Sequence, residues 1–270
     1  MRCSLLLLAS VCVCLATSAC REVPPAPEEL DELTAYLFRH FETDEYGVLE
    51  GGLGNLAGYV EGVDLEAGYA DRAYSLSPLS EDDVVDVEHP DRNLELLLPV
   101  GLVAESPHTP QRHAWGITQA DQTAAEPASP NQYTREFTDP TDPAGFPDRE
   151  HLVQRTMNDI HKENLVMDVR YDMHKDFRWA ELREPGSGEW AILGRAWVPE
   201  LAEGSSGAVL LQQSFSLDVF LPWEDDHTVR LMNLWSETEI EGVGNDVIEA
   251  TIKLGIHQMF NATDDFIDES

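Results

Sequence analysis

The sequence predicts an α+β domain, an antiparallel β-meander of about five or six strands covered by a C-terminal amphipathic helix, with further helices at its N-terminal end. Three patterns support this fold class. Apolar residues alternate with polar ones over 209–221, and they recur every three or four residues over 248–266 and over 30–41. Alternation is typical of half-buried strands, whereas the longer spacing is typical of helices that bury one side.

Residues 209–240 predict a β-hairpin, the longest element of the sheet. Apolar side chains occupy every second position of 209–221 except at Gln213, and the polar segment 223–226 connects this strand to the next. A short polar connection of this kind joins antiparallel neighbours, so we expect residue 222 to lie opposite residue 227. In this register apolar residues meet apolar ones and a polar residue meets a polar one: Phe215 faces Leu234, Leu217 faces Met232, and Gln213 faces Ser236.

The C-terminal residues predict one amphipathic helix after Gly244. Asp246 and Glu249 have the spacing of a capping box at the start of this helix. We expect its apolar stripe to cover the apolar face of the hairpin, because a half-buried sheet needs a second layer. The stripe consists of Ile248, Ile252, Ile256, Met259 and Phe266.

Shorter patterns assign the rest of the chain to a single globular domain over residues 30–270. Residues 28–42 predict a helix and 55–60 a weaker one, with the glycine-rich segment 51–54 as the turn between them. A helix is also expected at 148–160, with Asp148 as its N-cap. Further strands are expected at 94–103, 165–171, 177–182 and 190–198.

Residues 105–147 predict a long proline-rich loop. They contain seven prolines among mainly polar residues, and only 131–137 has the composition of an extended strand. Long loops inside compact domains are uncommon and are often functional or poorly ordered. Because this segment offers little apolar surface to bury, we expect its replacement by a short linker to change stability little.

The charge of the chain and its first residues indicate where the protein works. The 51 acidic and 17 basic residues give a formal net charge of -34, and such a surface repels phosphate backbones, which argues against nucleic acid as a partner. Residues 1–19 have one basic residue, a short apolar run and small residues at the end, which predicts a signal peptide. Residues 20–29 are polar and proline-rich, which predicts an extended tether.

Residues 15–20 resemble the lipobox of bacterial lipoproteins, in which a cysteine after small residues is acylated and becomes the first residue of the mature chain. Thr17 replaces the usual leucine, which leaves ordinary cleavage after Ala19 as an alternative. Cys20 is the last of the four cysteines, so no later cysteine can pair with it after export. The resemblance implies an acylated Cys20, a bacterial cell-envelope location and, because Arg21 is not aspartate, the outer membrane.

The sequence contains no motif that predicts a catalytic residue, a cofactor or a metal site. Segment 204–207 lacks the final glycine of a nucleophile elbow because residue 208 is alanine, and a turn is expected there. His151 and His161 lie ten residues apart on one predicted helix, too far apart to share a metal ion. The acidic segments 81–92 and 139–148 are weak candidates for cation binding, with solvated turns as the alternative.

The meander closed by a C-terminal helix, over residues 165–266, resembles the helix-grip arrangement of the START or Bet v 1-like superfamily. This resemblance is architectural, and it implies an apolar ligand held between the sheet and the last helix. It would make Gln213 and Ser236 polar groups in an apolar cleft, and Gly255 the point where helix and sheet approach closely. Alternatively, the two polar side chains hydrogen-bond to each other inside a filled core.

Together, these patterns predict a lipid-anchored bacterial envelope protein that is a binding module for a small apolar ligand or a partner protein. Its partners would be the membrane, through a lipid on Cys20, and that ligand or an envelope protein. Two alternatives remain: an envelope hydrolase without a recognisable motif, and a structural or adhesion protein that depends on divalent cations.

Overall fold

The computed structural model describes residues 25–270 of the chain, except residues 46, 164–166 and 183–185. The predicted signal peptide, Cys20 and the first part of the tether lie outside the described residues. None of the described helices is long and apolar enough to cross a membrane. The described helices are α1 Leu30–Arg39, α2 Val48–Val60, α3 Glu81–Val84, α4 Pro110–Ile117 and α5 Asn245–Asp268. The described strands are β1 Ala73–Tyr74, β2 Leu98–Ser106, β3 Gln132–Asp139, β4 Val153–Glu163, β5 Asp168–Glu181, β6 Trp190–Trp197, β7 Ala202–Glu203, β8 Val209–Pro222 and β9 Thr228–Ile240.

The strands form one antiparallel sheet in the order β1-β2-β9-β8-β6-β5-β4-β3, with β7 paired to β8. This confirms the α+β class with a large antiparallel sheet and a C-terminal helix, an arrangement consistent with a helix-grip fold. The sheet has nine strands within the described residues, not the five or six expected. The difference arises because β4 was predicted as a helix, β3 lies in the predicted loop, and β1 and β7 have only two residues each.

The hairpin predicted over 209–240 is present as β8 and β9, but Pro222 pairs with Thr228 and not with residue 227, so the predicted register is wrong by one residue over 213–222 and correct over 209–211. The pairing shifts between Leu211 and Gln213, where one extra residue forms a β-bulge. Because neighbouring residues of a strand point to opposite faces, this bulge transfers the apolar positions of β8 from one face of the sheet to the other. The observed pairs are Phe215 with Trp235, Leu217 with Asn233, and Gln213 with Glu237, where Leu234, Met232 and Ser236 were expected.

The hairpin face that carries Phe215, Leu217 and Val219 is covered by the N-terminal helices, which corrects the expectation that the C-terminal helix packs there. The Phe38 ring of α1 lies edge-on to the rings of Phe215 and Trp235, with ring centroids 6.1 Å apart in both pairs. Helix α5 lies against the opposite face, beside β2. The alternating pattern shows which side chains share a face, but it does not show which helix covers that face.

Helix α5 follows Gly244, whose extended backbone forms the N-cap without a side-chain hydrogen bond. The capping box predicted for Asp246 and Glu249 is therefore not formed. The predicted apolar stripe does face the sheet. It forms one cluster with β2 that contains Ile252, Ile256 and Met259 from the helix and Val100, Leu102 and Ala104 from the strand.

The helix predicted at 148–160 is wrong, because most of these residues belong to strand β4. The side chains that β4 buries are Gln154, Thr156, Asn158 and Ile160. Three of these four are polar, so the alternation of buried positions is absent from the hydrophobic pattern. Strand β5 is also continuous, whereas two strands separated by a turn were predicted over 165–182.

The glycine-rich segment 51–54 lies inside α2 and does not form the predicted turn. Gly52 packs so closely against α1 that a Cβ atom there would lie 2.7 Å from Leu37 Cδ2. This distance is well below van der Waals contact, so only glycine fits without displacing the leucine. Gly52 therefore allows α1 and α2 to pack closely together.

Segment 105–147 is not the long loop that its prolines predicted. It contains α4 and β3, and the side chains of Ala114 and Phe146 are fully buried. The indole nitrogen of Trp179 in β5 donates a 2.7 Å hydrogen bond to the Phe146 carbonyl. The segment therefore packs onto the sheet, and its removal would expose apolar surface.

Replacing Phe146 with alanine tests this packing. Because the Phe146 side chain is 0% exposed, we expect Phe146→Ala to lower the free energy of unfolding by about 3–5 kcal/mol, measured by urea denaturation. The control is Leu152→Ala at a position that is 42% exposed, where the cost should stay below about 1 kcal/mol. Equal stability of the two variants would show that the segment does not pack as described.

Candidate ligand-binding site

A cavity of about 240 Å³ lies between α5 and the sheet face that this helix covers. Strands β3, β4, β5, β6, β8 and β9 contribute side chains to its walls, and α4 and the segment after it contribute the rest. Its volume is close to the lower end of the range of roughly 300–1,000 Å³ that is common for ligand pockets. The cavity therefore has room for a small molecule.

Most of the cavity wall is apolar. Four of the six methionines of the chain line it, and their unbranched side chains can adapt to ligands of different shape. The helix contributes Ile248, Ile252, Ile256, Met259 and Phe266, and the sheet and its connections contribute Tyr133, Ile160, Met167, Tyr171, Met173, Phe177, Trp197, Leu211, Phe220, Met232, Leu234 and Ile240.

Gly255 of α5 lines the cavity, but it does not mark a close approach of the helix to the sheet. A Cβ atom built at Gly255 would meet no other atom within 4 Å. The expected close contact is therefore wrong at this position. Instead, Gly255 faces open space between the helix and the sheet.

The wall also carries four basic and two acidic side chains, an excess of two positive charges. One pair is Lys162 and Glu126, where the Glu126 carboxylate raises the pKa of Lys162. Beside this pair, burial raises the pKa of Tyr171 to about 12, so its phenol is a neutral hydrogen-bond donor near pH 7. The six charged residues are Glu126, Arg135, Lys162, Lys175, Asp218 and Arg230.

The other four charged residues form a group around Asp218 of β8. The Lys175 Nζ atom of β5 lies 2.5 Å from the Asp218 Oδ2 atom. Burial lowers the pKa of Arg135 and of Arg230, and the negative charge of Asp218 opposes this lowering for both. Both guanidinium groups stay protonated at neutral pH, because an arginine side chain is not deprotonated in proteins. Three cations therefore surround one carboxylate.

Backbone carbonyls and aromatic rings hold the two arginines in place. Arg135 Nη1 donates a 2.6 Å hydrogen bond to the carbonyl of Ile117 in α4, and its guanidinium carbon lies 5.0 Å from the ring centroid of Phe177. Arg230 Nη1 donates a 3.2 Å hydrogen bond to the carbonyl of Phe260 in α5, and its guanidinium carbon lies 4.3 Å from that ring centroid. Such contacts stabilise cations away from water.

Several buried polar atoms of this region have no hydrogen-bond partner within the described part of the chain. They include Asp218 Oδ1, Arg230 Nε, His113 Nδ1 and Trp197 Nε1. Buried polar atoms are nearly always hydrogen-bonded in folded proteins, so these four atoms are exceptions. All four residues line the cavity.

The structure separates the two polar residues that the sequence predicted for a ligand site. Ser236 lines the cavity, and its hydroxyl lies 2.8 Å from Thr238 Oγ1. Gln213 points to the other face, where its Nε2 atom donates a 2.9 Å hydrogen bond to Glu237 Oε2 and a 3.1 Å hydrogen bond to the Asn93 carbonyl. The connection between β8 and β9 is the cause: Pro222 pairs with Thr228, so every partner back to Gln213 is shifted by one residue and Gln213 lies opposite Glu237.

Sequence reasoning missed the charged residues of the cavity. In the alternation over 209–221, Ser214, Ser216 and Asp218 occupy the positions between the apolar ones, on the face opposite the predicted core. That side is the buried face under α5. An alternating pattern cannot distinguish a solvated face from a polar-lined cavity, so only the position of α5 reveals the site.

Among the residues that the structure describes, no group of three or more histidine, cysteine or acidic side chains is arranged to hold a metal ion. In the acidic segment 81–92, Asp83 pairs with Arg39 at 2.7 Å and Asp86 pairs with Arg195 at 2.8 Å. His161 lies on strand β4, not on a helix, and its Nε2 atom lies 2.8 Å from Asp168 Oδ1. Segment 204–207 forms the predicted turn.

No protein-family model matches the chain, and no curated protein does. Solved structures of similar fold include the STAR-related lipid transfer protein of Xanthomonas axonopodis, with 14% identity and a TM-score of 0.44 over 66% of this chain and 90% of that one. The lipid transfer and protein localization domain of human StarD13 gives 8% identity and a TM-score of 0.39 over 77% and 95%. Norcoclaurine synthase from Thalictrum flavum gives 12% identity and a TM-score of 0.37 over 64% of this chain and 88% of that one. With identities and TM-scores this low, the likeness assigns neither a ligand nor an activity to this chain.

The buried imidazole of His113, beside the cationic group, makes stability depend on pH. Burial, together with the positive charges of Arg230 and His108, holds the pKa of His113 well below its usual value. Below pH 6.5 the unfolded chain therefore binds a proton that the folded chain does not. Because the folded-state pKa is depressed, stability present above pH 6.5 is lost as the pH falls.

We expect this effect to lower the free energy of unfolding by about 1.4 kcal/mol between pH 7.5 and pH 5.5. Urea denaturation at the two pH values measures it, with His113→Gln as the comparison. The variant should lack this part of the pH dependence, since glutamine does not titrate. The same pH dependence in both proteins would contradict a neutral, buried His113.

Proposed function

We propose that this chain is a binding module for a small, mainly apolar ligand, which it holds between α5 and the sheet. The observation that supports this most directly is the cavity itself. Protein interiors are close-packed and contain few voids larger than a water molecule. A space of about 240 Å³ is more than ten times the roughly 15 Å³ that one water needs, so it is too large for a packing defect.

The composition of the wall supports a ligand that is apolar over most of its length. Aliphatic, methionine and aromatic side chains from both the helix and the sheet surround the space, and an apolar ligand would remove them from water. The few polar and charged side chains of the wall would orient it. Ser236, which lines the same space, is a candidate for such a contact.

Filling the cavity at Gly255 tests this proposal. We expect Gly255→Phe to place its ring in the space and weaken binding of the neutral dye N-phenyl-1-naphthylamine at least about tenfold, measured by fluorescence titration. The control is Gly58→Phe on α2, an exposed helical glycine where a Cβ atom also meets nothing within 4 Å. This variant should bind as the wild type does. Wild-type affinity in Gly255→Phe would place the binding site elsewhere.

We also propose that the domain works at the bacterial cell envelope, anchored at the outer membrane by acyl chains on Cys20. The sequence alone supports this proposal: the lipobox-like segment 15–20, the absence of any later cysteine, and the polar segment 20–29 as a tether. An anchored binding domain could receive an apolar ligand from the bilayer beside it. The alternatives of a hydrolase and of a cation-dependent adhesion protein have no specific observation in their favour.

Substituting Cys20 tests the anchor. We expect Cys20→Ser to move the protein from the membrane fraction to the soluble fraction, because a serine hydroxyl does not replace the thiol in lipid attachment. Fractionation of cells followed by immunoblotting measures this. Cys14→Ser, within the predicted signal peptide, is the control and should stay membrane-bound. A Cys20→Ser protein that remains membrane-bound would refute lipidation at this residue.

A further inference from the structure

We propose that the ligand carries a carboxylate, and that Arg135, Lys175 and Arg230 bind this group inside the cavity. The inference rests on the proposed function, that the cavity is the ligand site. We call the three basic residues the cationic cluster. They belong to β3, β5 and β9, and they line the cavity together with Asp218 of β8.

Shared neighbours place the members of the cationic cluster close to one another. The Arg135 guanidinium carbon and the Lys175 Nζ atom lie 5.0 Å and 5.4 Å from the ring centroid of Phe177. Lys175 also contacts Asp218, and Arg230 faces Phe220, which is two residues further along the same strand as Asp218. The three cations therefore surround one part of the cavity.

The negative charge near the cationic cluster is too small to balance it. Asp218 is paired with Lys175. Asp264 of α5 is the next carboxylate, and its Oδ1 atom lies 3.7 Å from Arg230 Nη1. Within the described part of the chain, Arg135 forms no ion pair with a carboxylate and donates to Asn158 Oδ1 and to the Ile117 carbonyl. One positive charge remains even when both carboxylates are counted.

A buried positive charge without a counter-ion is costly, because it has lost its hydration and gained no charge in return. Arg135 is 4% exposed and Arg230 is 5% exposed, so water replaces little of that loss. A ligand carboxylate would supply both the missing charge and a hydrogen-bond acceptor, and guanidinium groups match the planar shape of a carboxylate.

A pair of probes with the same chain tests the inference. Dodecanoate and 1-dodecanol have the same number of carbons and differ in the charge of the polar end. We expect dodecanoate to displace N-phenyl-1-naphthylamine from the wild-type protein at pH 7.5 with an affinity at least about tenfold higher than that of the alcohol. Equal affinities would overturn the inference and leave the proposed function standing. Failure of both probes and of the dye to bind would overturn the proposed function, and this inference with it.

Neutralising Asp218 tests the inference through an increase in ligand affinity, which general damage to the site would not produce. Asp218→Asn removes the carboxylate that competes with the ligand, so the affinity for dodecanoate should rise about tenfold while the affinity for dodecanol stays within about twofold. Asp176→Asn is the matched control, since Asp176 is a buried carboxylate of β5 that pairs with Arg155 and does not line the cavity. Its affinity for dodecanoate should equal that of the wild type.

Arg230→Met should remove most of the preference for dodecanoate over dodecanol, because it keeps an unbranched apolar stem and deletes the guanidinium charge. Denaturation midpoints establish whether each variant is folded. If Arg230→Met does not fold, the Asp218→Asn result decides the matter alone. Unchanged dodecanoate affinity in Asp218→Asn, or an equal increase in Asp176→Asn, would refute a role for the cationic cluster.

Discussion

The β-bulge between Leu211 and Gln213 determines which side chains of the central hairpin face a packed core and which face the cavity. Beyond it, Phe215 and Leu217 lie beneath the N-terminal helices, while Ser216 and Asp218 line the space under α5. Before it, Leu211 lies on the cavity side instead. Without the extra residue, Leu211 would share a face with Phe215 and Leu217, and the cavity would lose this part of its apolar wall.

One face of the sheet borders a cavity, and the tight packing on the other face compensates for the contacts that are missing there. The N-terminal helices and the hairpin form one large apolar cluster, which includes Phe38, Phe41 and Trp235. Such burial supplies most of the favourable free energy of folding, so the structure can tolerate the contacts that the cavity lacks. The position of α1 and α2 is therefore a condition for the binding site, even though neither helix touches it.

A buried arginine links the N-terminal helices to the sheet. Arg195 of β6 is 1% exposed and pairs with Glu42 at 2.9 Å and with Asp86 at 2.8 Å. Its guanidinium carbon also lies 4.8 Å from the ring centroid of Phe41. Here each charge has partners of opposite sign, as a buried ion pair requires. Arg135, by contrast, forms no ion pair with a carboxylate within the described part of the chain.

Much of the fold could be predicted from local patterns, but the site could not. Residues 30–41 and 248–266 have helical stripes that form α1 and α5, since one side of each is apolar. Strand β4 was missed because it buries Gln154, Thr156 and Asn158, and a polar inward face has no hydrophobic period. Asp218 and Arg230 were missed for the same reason, because they are polar residues on a buried face. The same residue types line a polar cavity and cover a solvated surface, so only the tertiary packing distinguishes the two.

The cationic cluster also has to be considered together with the charge of the whole chain. The formal net charge of -34 repels anions at long range, so a free carboxylate in solution would approach slowly. At 0.1 M ionic strength, salt screens that repulsion at distances beyond about 10 Å from the surface. The buried Arg135 and Arg230 are shielded from salt ions and act on a ligand at short range. The exterior and the interior therefore act on different steps: the acidic surface governs the rate of entry, and the cationic cluster governs how long an anionic ligand stays.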